Sequence, residues 1–234
     1  MHTNIADVIT SIPPIGDMEI RCASYLSDVE GVPEIIIDSK KINFQNHPDV
    51  SSSMLIYLST GTQFYRQLLK YNGMMLHASA VALDGRAYLF SGPCGMGKST
   101  HTRLWQQIFG EKAVVFNDDK PALRRLDDRW YAYGTPWCGK DGINVNMKVP
   151  LAGICFLKQA SENKIRRLNS LEALQRLLQQ TLRKLKPENM DLLTGHLDNL
   201  IREIPIFELE NLPVPEAAKL SYETMSRAAD EMGL

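Results

Sequence analysis

The chain has 234 residues, 44% apolar and 23% charged, with a formal net charge of -1. That balance fits a globular protein with a sizeable core and leaves no basic footprint for nucleic acid or for an anionic membrane. Nothing in it approaches the ~20 consecutive apolar residues that span a bilayer.

The first residues, MHTNIADVITSIPPIGDMEIRC, carry early acids and no long apolar run, so they do not read as a signal peptide. Four scattered cysteines, Cys22, Cys94, Cys138 and Cys155, form no C-x-x-C pair. They read as reduced thiols, and the expected compartment is the cytoplasm.

In chain order, 18–23 (MEIRCA) and 34–38 (EIIID) have the pattern of short strands. Residues 51–71 read as a helix, with Met54, Leu55, Leu58, Phe64, Leu68 and Leu69 at helical spacing, Gly61 interrupting it and Gly73 as the stop signal. Two apolar runs, 75–83 and 86–91, flank Asp84-Gly85, a dipeptide suited to a type I′ hairpin turn. A helix over 98–109 ends at Gly110.

Residues 113–119 (AVVFNDD) read as a buried strand ending in two acids, and 121–134 as a hairpin around Asp127-Asp128. Then come a strand at 151–159, amphipathic helices at 170–185 and 189–204, a short strand near IPIFELE and a last helix over 215–231. The expected class is α/β with a mixed β-sheet and C-terminal helices. The expected organisation is one domain over 1–234: N-terminal strands and helix to residue 70, a nucleotide-binding core over 74–160, and a mainly helical part over 165–234.

The second apolar run feeds into Gly92-Pro93-Cys94-Gly95-Met96-Gly97-Lys98-Ser99, which matches G-x-x-x-x-G-K-[ST]. Strand before and helix after are the context in which such a loop cradles phosphates. Glycines let backbone N–H groups converge, and the helix N-terminus adds positive potential. The expected nucleotide-binding residues are those eight and Thr100. Lys98 would reach the terminal phosphates, and the Ser99 hydroxyl would ligate Mg²⁺.

Asp118 and Asp119 end the next strand, where an acid of a nucleotide site holds Mg²⁺ or accepts the proton of an incoming hydroxyl. Asp118 is the expected metal ligand beside Ser99. His77 lies in an apolar run, where a histidine is most often a hydrogen-bonded core residue, yet the 84–85 turn lays its strand beside the loop-bearing one. His101, Arg103, His196, Lys184 and Lys186 read as helix surface, and Met74 and Met75 as core.

Together, LHASAVALDGRAYLFSGPCGMGKST and VVFNDDKPAL resemble the catalytic domain of the HPr kinase/phosphorylase family, and still more its short kinase-like members, some of which act on lasso peptides. The resemblance implies a fold like the nucleotide domain of phosphoenolpyruvate carboxykinase, with ATP and Mg²⁺ as cofactors. It implies Lys98 and Ser99 on the phosphates and metal, Asp118-Asp119 as the source of a base, and His77 beside the transferred phosphoryl group.

Cys94 stands where the family has Ser, which puts a thiol in the cradle. At 133–146 (YGTPWCGKDGINVN) only the last residues match, with Lys140 in place of a charge-stabilising arginine and Asp141 in place of an acidic ligand. The reverse phosphorylase reaction is therefore not carried over. Trp137 in this bent loop either stacks on an acceptor or pins the loop from inside.

The expected function is transfer of the ATP γ-phosphoryl group to a hydroxyl, on a peptide, a small protein or a small molecule. A nucleotide-dependent switch that binds a peptide or protein is the alternative. Neither a nucleic-acid nor a membrane partner is expected, and a homo-oligomer remains open.

Overall fold

The computed structural model describes residues 2–5, 8–11, 34–36 and 49–234 apart from Lys140 and Arg183. The strand expected at 18–23 and Cys22 lie outside the described residues. Near the N-terminus, β1 (His2–Ile5), β2 (Val8–Ser11) and β3 (Glu34–Ile36) make a small sheet, antiparallel between β1 and β2 and parallel between β2 and β3. The first two were not expected from the sequence.

Helix α1 (Ser52–Leu68) is capped by Ser51, whose side chain accepts the Met54 N–H, and tightens into a 3-10 turn over Leu69–Tyr71. Its stop is Asn72, in the left-handed region at φ 55°, rather than Gly73, which already belongs to β4. Gly61 stays helical despite its low propensity because the Trp137 indole packs on its bare backbone.

The strand expected at 75–83 is two strands, β4 (Gly73–Met75) and β5 (Ala78–Leu83), broken at Leu76-His77. Asp84 and Gly85, at φ 51° and 77°, make the expected turn into β6 (Arg86–Ser91). Helix α2 (Lys98–Phe109) follows the Gly-rich loop and ends at Gly110, φ 60°.

Next come β7 (Val114–Asp119), then β8 (Ala122–Leu126) and β9 (Arg129–Tyr133), which turn at Asp127 and Asp128 with positive φ as expected. β10 spans Lys148–Gln159, three residues longer at its start than the apolar run alone implied. β11 (Lys164–Arg167), too polar to read as a strand, pairs antiparallel with β12 (Ile206–Asn211). Helices α3 (Ser170–Gln180), α4 (Pro187–Glu203) and α5 (Pro215–Met232) complete the chain.

Strands β4 to β12 form one mixed sheet with the path β4-β8-β9-β10-β6-β5-β7, and β12 with β11 beyond β10. β10 is its spine: its first residues pair antiparallel with β9, and its later ones parallel with β6 and β12. β4 and β8 pair at one end of the path while β5 and β7 pair at the other, although β4 runs into β5 and β7 into β8. The sheet therefore curls, and both chain segments cross from one half to the other at the same place. Leu76-His77 lies there beside Lys120-Pro121, with the Leu76 N–H donating to the Pro121 oxygen at 3.4 Å.

Helices cover both faces, which explains the unbroken apolar run 151–157. Ile154 and Phe156 join the core that Leu177, Leu193, Leu197 and Leu200 complete from α3 and α4. Cys155 and Leu157, pointing the other way, join Leu104, Trp105 and Met225 from α2 and α5. Each large apolar side chain buried this way stabilises the fold by roughly 1.5–3 kcal/mol.

The helix expected at 170–185 ends at Gln180, because its last turn docks on the strand break: the Gln180 C=O accepts the His77 N–H at 2.7 Å, and Thr181 Oγ1 donates to the Met75 oxygen at 2.8 Å. No helix among the described residues is long and apolar enough to cross a membrane.

Candidate active site

The Gly-rich loop joins β6 to α2, and its conformation depends on glycine. Gly95 and Gly97 adopt φ 81° and 91°, in the left-handed region, with open space where a Cβ would stand. Gly97 is also the residue preceding α2, and no side chain caps that helix. The N–H groups of Lys98, Ser99 and Thr100 consequently have no intrahelical acceptor. All three residues line a cleft of about 490 Å³, together with Cys94, Gly95 and Gly97.

Three residues of the loop play another part. Gly92 and Pro93 present carbonyl oxygens to the Lys98 ammonium, at 3.0 and 3.2 Å. Met96 folds back against Gly92 and does not line the cleft. Burial pulls the Lys98 pKa down, opposed first by the neighbouring Asp119. From the other side Gln159, at the end of β10, donates to the Gly95 oxygen at 3.3 Å.

Across the cleft stand His77, Asp118 and Asp119. The family resemblance implied that they share a site, and the crossing of the two strand pairs is what brings them together here. His77 Nε2 lies 3.3 Å from Asp119 Oδ1, while Lys120 Nζ pairs with Asp119 Oδ2. Burial raises the Asp119 pKa, but His77 and Lys120 outweigh it and hold the carboxyl below its ordinary value of 3.8. The Asp118 side chain makes no hydrogen bond or ion pair among the described residues, and the residue lines the cleft.

The turn bearing the acids is built by residues that the sequence reading passed over. Asn117, fully buried, accepts the N–H groups of Asp119 and Lys120 on Oδ1 and donates through Nδ2 to the oxygen and Oγ1 of Thr135. Tyr65 and Thr135 both donate to the Lys120 carbonyl. The one signal was an Asn inside an apolar strand, because a buried amide demands partners. Lys120, directly after the acid pair, was equally visible but unassigned.

The described residues of 134–147 form no strand, only a bridge between Asn117 and Asn144. Trp137 is buried, stacked on Phe64 at 5.0 Å, and its Nε1 donates to the Tyr57 oxygen. It pins the loop from inside, which decides between the two roles that the sequence left open. Gly139, at φ 72°, lies so close to the acid pair that a Cβ there would stand 3.1 Å from Asp119 Cβ. Its N–H donates to the Tyr57 hydroxyl at 3.0 Å. Lys140 lies outside the described residues. Asp141 reaches the cleft rim and pairs with Arg103 of α2 at 2.9 Å.

Other surface readings also change. His101 is fully buried behind the loop, its Nε2 3.0 Å from Ser221 Oγ, and among the described residues its Nδ1 makes no hydrogen bond of ordinary geometry, although the Asn211 side chain acts on the ring. Burial pushes its pKa down to about 4. It faces inward because α2 is wedged between the sheet and α5, which leaves that face of the helix no solvent. His196 is half-buried against the Leu69 carbonyl. Arg124 is held by the Tyr71 oxygen and Arg125 by Glu203, away from the cleft.

The donor set fits a nucleoside triphosphate with Mg²⁺: uncapped amides and an ammonium for phosphate oxygens, a hydroxyl and a free carboxylate for a hard cation. No group of three or more His, Cys, Asp or Glu suited to a metal occurs among the described residues. Mg²⁺ needs no such cage, since it keeps several waters and shares phosphate oxygens.

Among solved structures, the chain is similar to the Hpr(Ser) kinase/phosphatase from Coxiella burnetii, at 13% identity and a TM-score of 0.37, over 65% of this chain and 88% of that one. No curated protein matches the chain significantly. The family model described as "SynChlorMet cassette protein ScmC" matches residues 42–210, well over half of the sequence, and the chain belongs to that family.

Proposed function

We propose that the protein is a phosphotransferase that moves the γ-phosphoryl group of ATP to a hydroxyl acceptor on a peptide, a small protein or a small molecule. The observation that carries this reading is one cleft with an uncapped, glycine-shaped cradle and Lys98 on one wall and His77, Asp118 and Asp119 on the other.

Lys98 and the amides of the loop bind the phosphates and offset the charge that spreads over them during transfer. Ser99 and Asp118 hold Mg²⁺, which when bound screens the phosphate charge and orients the terminal group. Asp119, fixed as a carboxylate by Lys120, works with His77 to orient the acceptor hydroxyl and take its proton. Lys140, next to Gly139 in the sequence, is the proposed further cation for the transferred group.

The test is incubation with ATP and Mg²⁺ against free serine, peptides and small proteins, followed by ³¹P NMR and mass spectrometry. ADP should form in step with a phosphorylated acceptor. ATP that binds without turnover across all acceptors would replace this reading with that of a nucleotide-dependent binding module.

A further inference from the structure

No described residue of α1 lines the cleft, yet one of them is tied twice to the loop that does. The main-chain oxygen of Tyr57 accepts the Trp137 Nε1–H at 2.9 Å, and its hydroxyl oxygen accepts the Gly139 N–H at 3.0 Å. An indole and a main-chain amide can only donate, so the direction of both bonds is fixed. Burial holds the Tyr57 pKa above its ordinary value of 10.0, and the hydroxyl accepts as a neutral group. Gly139 in turn lies close against the acid pair: a Cβ there would stand 3.1 Å from Asp119 Cβ, 3.4 Å from Asp119 Cγ and 3.2 Å from the Asp118 main-chain oxygen.

We propose that Tyr57 is a positioning residue for Asp119, acting through Gly139. Its hydroxyl holds the Gly139 main chain against the Asp119 side chain, which limits how far that side chain can move away from His77. The catalytic consequence rests on the phosphotransferase reading above; the placing of Gly139 against Asp119 does not.

The Asp119 carboxylate is engaged by His77 and Lys120, and all three side chains are partly exposed, so neither contact alone holds it still. A main chain packed against Cβ and Cγ restricts it by exclusion, whatever its charge. Gly139 can come this close because it has no side chain, and for the same reason it has none to anchor it. Its place therefore depends on main-chain bonds, and the one to Tyr57 reaches a helix rather than another part of the loop. The same face of α1 meets the acid-bearing wall at two further points, four and eight residues on. Gly61 takes the Trp137 indole on its backbone, and the Tyr65 hydroxyl donates to the Lys120 carbonyl, directly after the acid pair.

The experiment uses the full chain carrying ¹³C-carbonyl cysteine and ¹⁵N-glycine. Cys94-Gly95 and Cys138-Gly139 are the Cys-Gly steps of the sequence, so Cys94→Ser leaves the Gly139 signal alone and assigns it. Tyr57→Phe keeps the ring and the main-chain oxygen and removes the hydroxyl. In that variant the Gly139 amide should exchange with solvent roughly 3–10-fold faster, while the Trp137 indole N–H keeps its protection. A nuclear Overhauser effect between Gly139 Hα and Asp119 Hβ should be seen in the wild type and weaken in the variant. An unchanged Gly139 exchange rate, an equal loss of protection at the Trp137 indole, or an Overhauser effect that is absent from the wild type or undiminished in the variant overturns the proposal.

In parallel, Mg²⁺-dependent ATP turnover should fall roughly 10–100-fold in kcat for Tyr57→Phe, with the ATP KM unchanged because the cradle is untouched. A kcat equal to that of the wild type would overturn the catalytic consequence. A wild type that neither hydrolyses nor transfers phosphate defeats the phosphotransferase reading, while the exchange and Overhauser measurements still decide whether Tyr57 holds Gly139 against Asp119.

Discussion

The indole of Trp137 packs against the backbone of Gly61, where a Cβ would meet two of its ring atoms at 2.8 Å. One residue belongs to the interior of α1 and the other to the loop that carries Gly139 close to the acid pair. This contact sets how closely the helix and the cleft loop approach each other.

Gly61→Ala should therefore destabilise the protein, even though alanine favours a helix by about 1 kcal/mol over glycine. Overpacking here costs about 1–3 kcal/mol. Urea unfolding should show the loss. Adding Trp137→Phe, a smaller ring, should make the pair more stable than the two separate losses predict. Strict additivity would show that the contact is not what excludes a side chain at 61.

Asp119→Asn should keep nucleotide binding and lose transfer, by roughly 10²–10⁴-fold as expected for a general base. It should also alter stability in a defined pH range. The Asp119 carboxyl is held below 3.8, so its contribution is present above that value and lost as the pH falls through the lower native one. The wild type should be the more stable at pH 7, and its advantage should shrink below about pH 3.8. An advantage that persists unchanged at pH 2 would contradict this.

His101 acts in a separate, less acid range. Its native pKa is pushed down from 6.5 to about 4 by burial, so the neutral ring is the folded form. Stability is full above 6.5 and declines as the pH drops toward 4, by roughly 3 kcal/mol in all. Urea midpoints measured from pH 7 to pH 4 should follow that slope. His101→Leu should flatten it while leaving the lower, Asp119-dependent region in place.

Among the described cysteines, Cys94 is exposed in the cleft while Cys138 and Cys155 are buried. Iodoacetamide should label Cys94 first, and ATP with Mg²⁺ should slow that labelling. Mass spectrometry of peptides from the treated protein would report both. Equal labelling with and without nucleotide would mean that the phosphates do not sit against residue 94.

Much of the cleft was legible in the sequence because its parts are local. The turn at Asp84-Gly85, the glycine loop and the uncapped start of α2 follow one another within 15 residues or so of chain, and each has its own backbone requirement. The nearness of His77 to the glycine loop was anticipated through that hairpin, but its pairing with the acid at 119, which comes from β5 lying beside β7, was not. The strand break at Leu76-His77 was not anticipated either, since His77 is a single polar residue between apolar ones and nothing in their pattern marks a change of partner strand.

Gln180 had no signal at all: it reads as a polar residue near the end of an amphipathic helix, and its bond to His77 depends on where that helix docks. His101 and Trp137 were misread or left open for a related reason. Helical spacing gives the faces of a helix but not how many neighbours cover it, and a lone Trp in a bent loop fits solvent or interior equally well.

The docking of α3 on the strand break also orders events in time. Apart from the Gln159 bond to Gly95, the contacts of the cradle described above are close in sequence, and such contacts form early and at little entropic cost. The imidazole opposite it has Nδ1 3.0 Å from Gln180 Oε1, 103 residues away in the chain. During synthesis, with domains forming from the N-terminal side, the loop between β6 and α2 is complete long before residue 180 emerges. Until then the growing chain has a cradle for phosphates facing a histidine whose ring nothing holds at Nδ1, so the competence of the cleft is decided by the last third of the polypeptide.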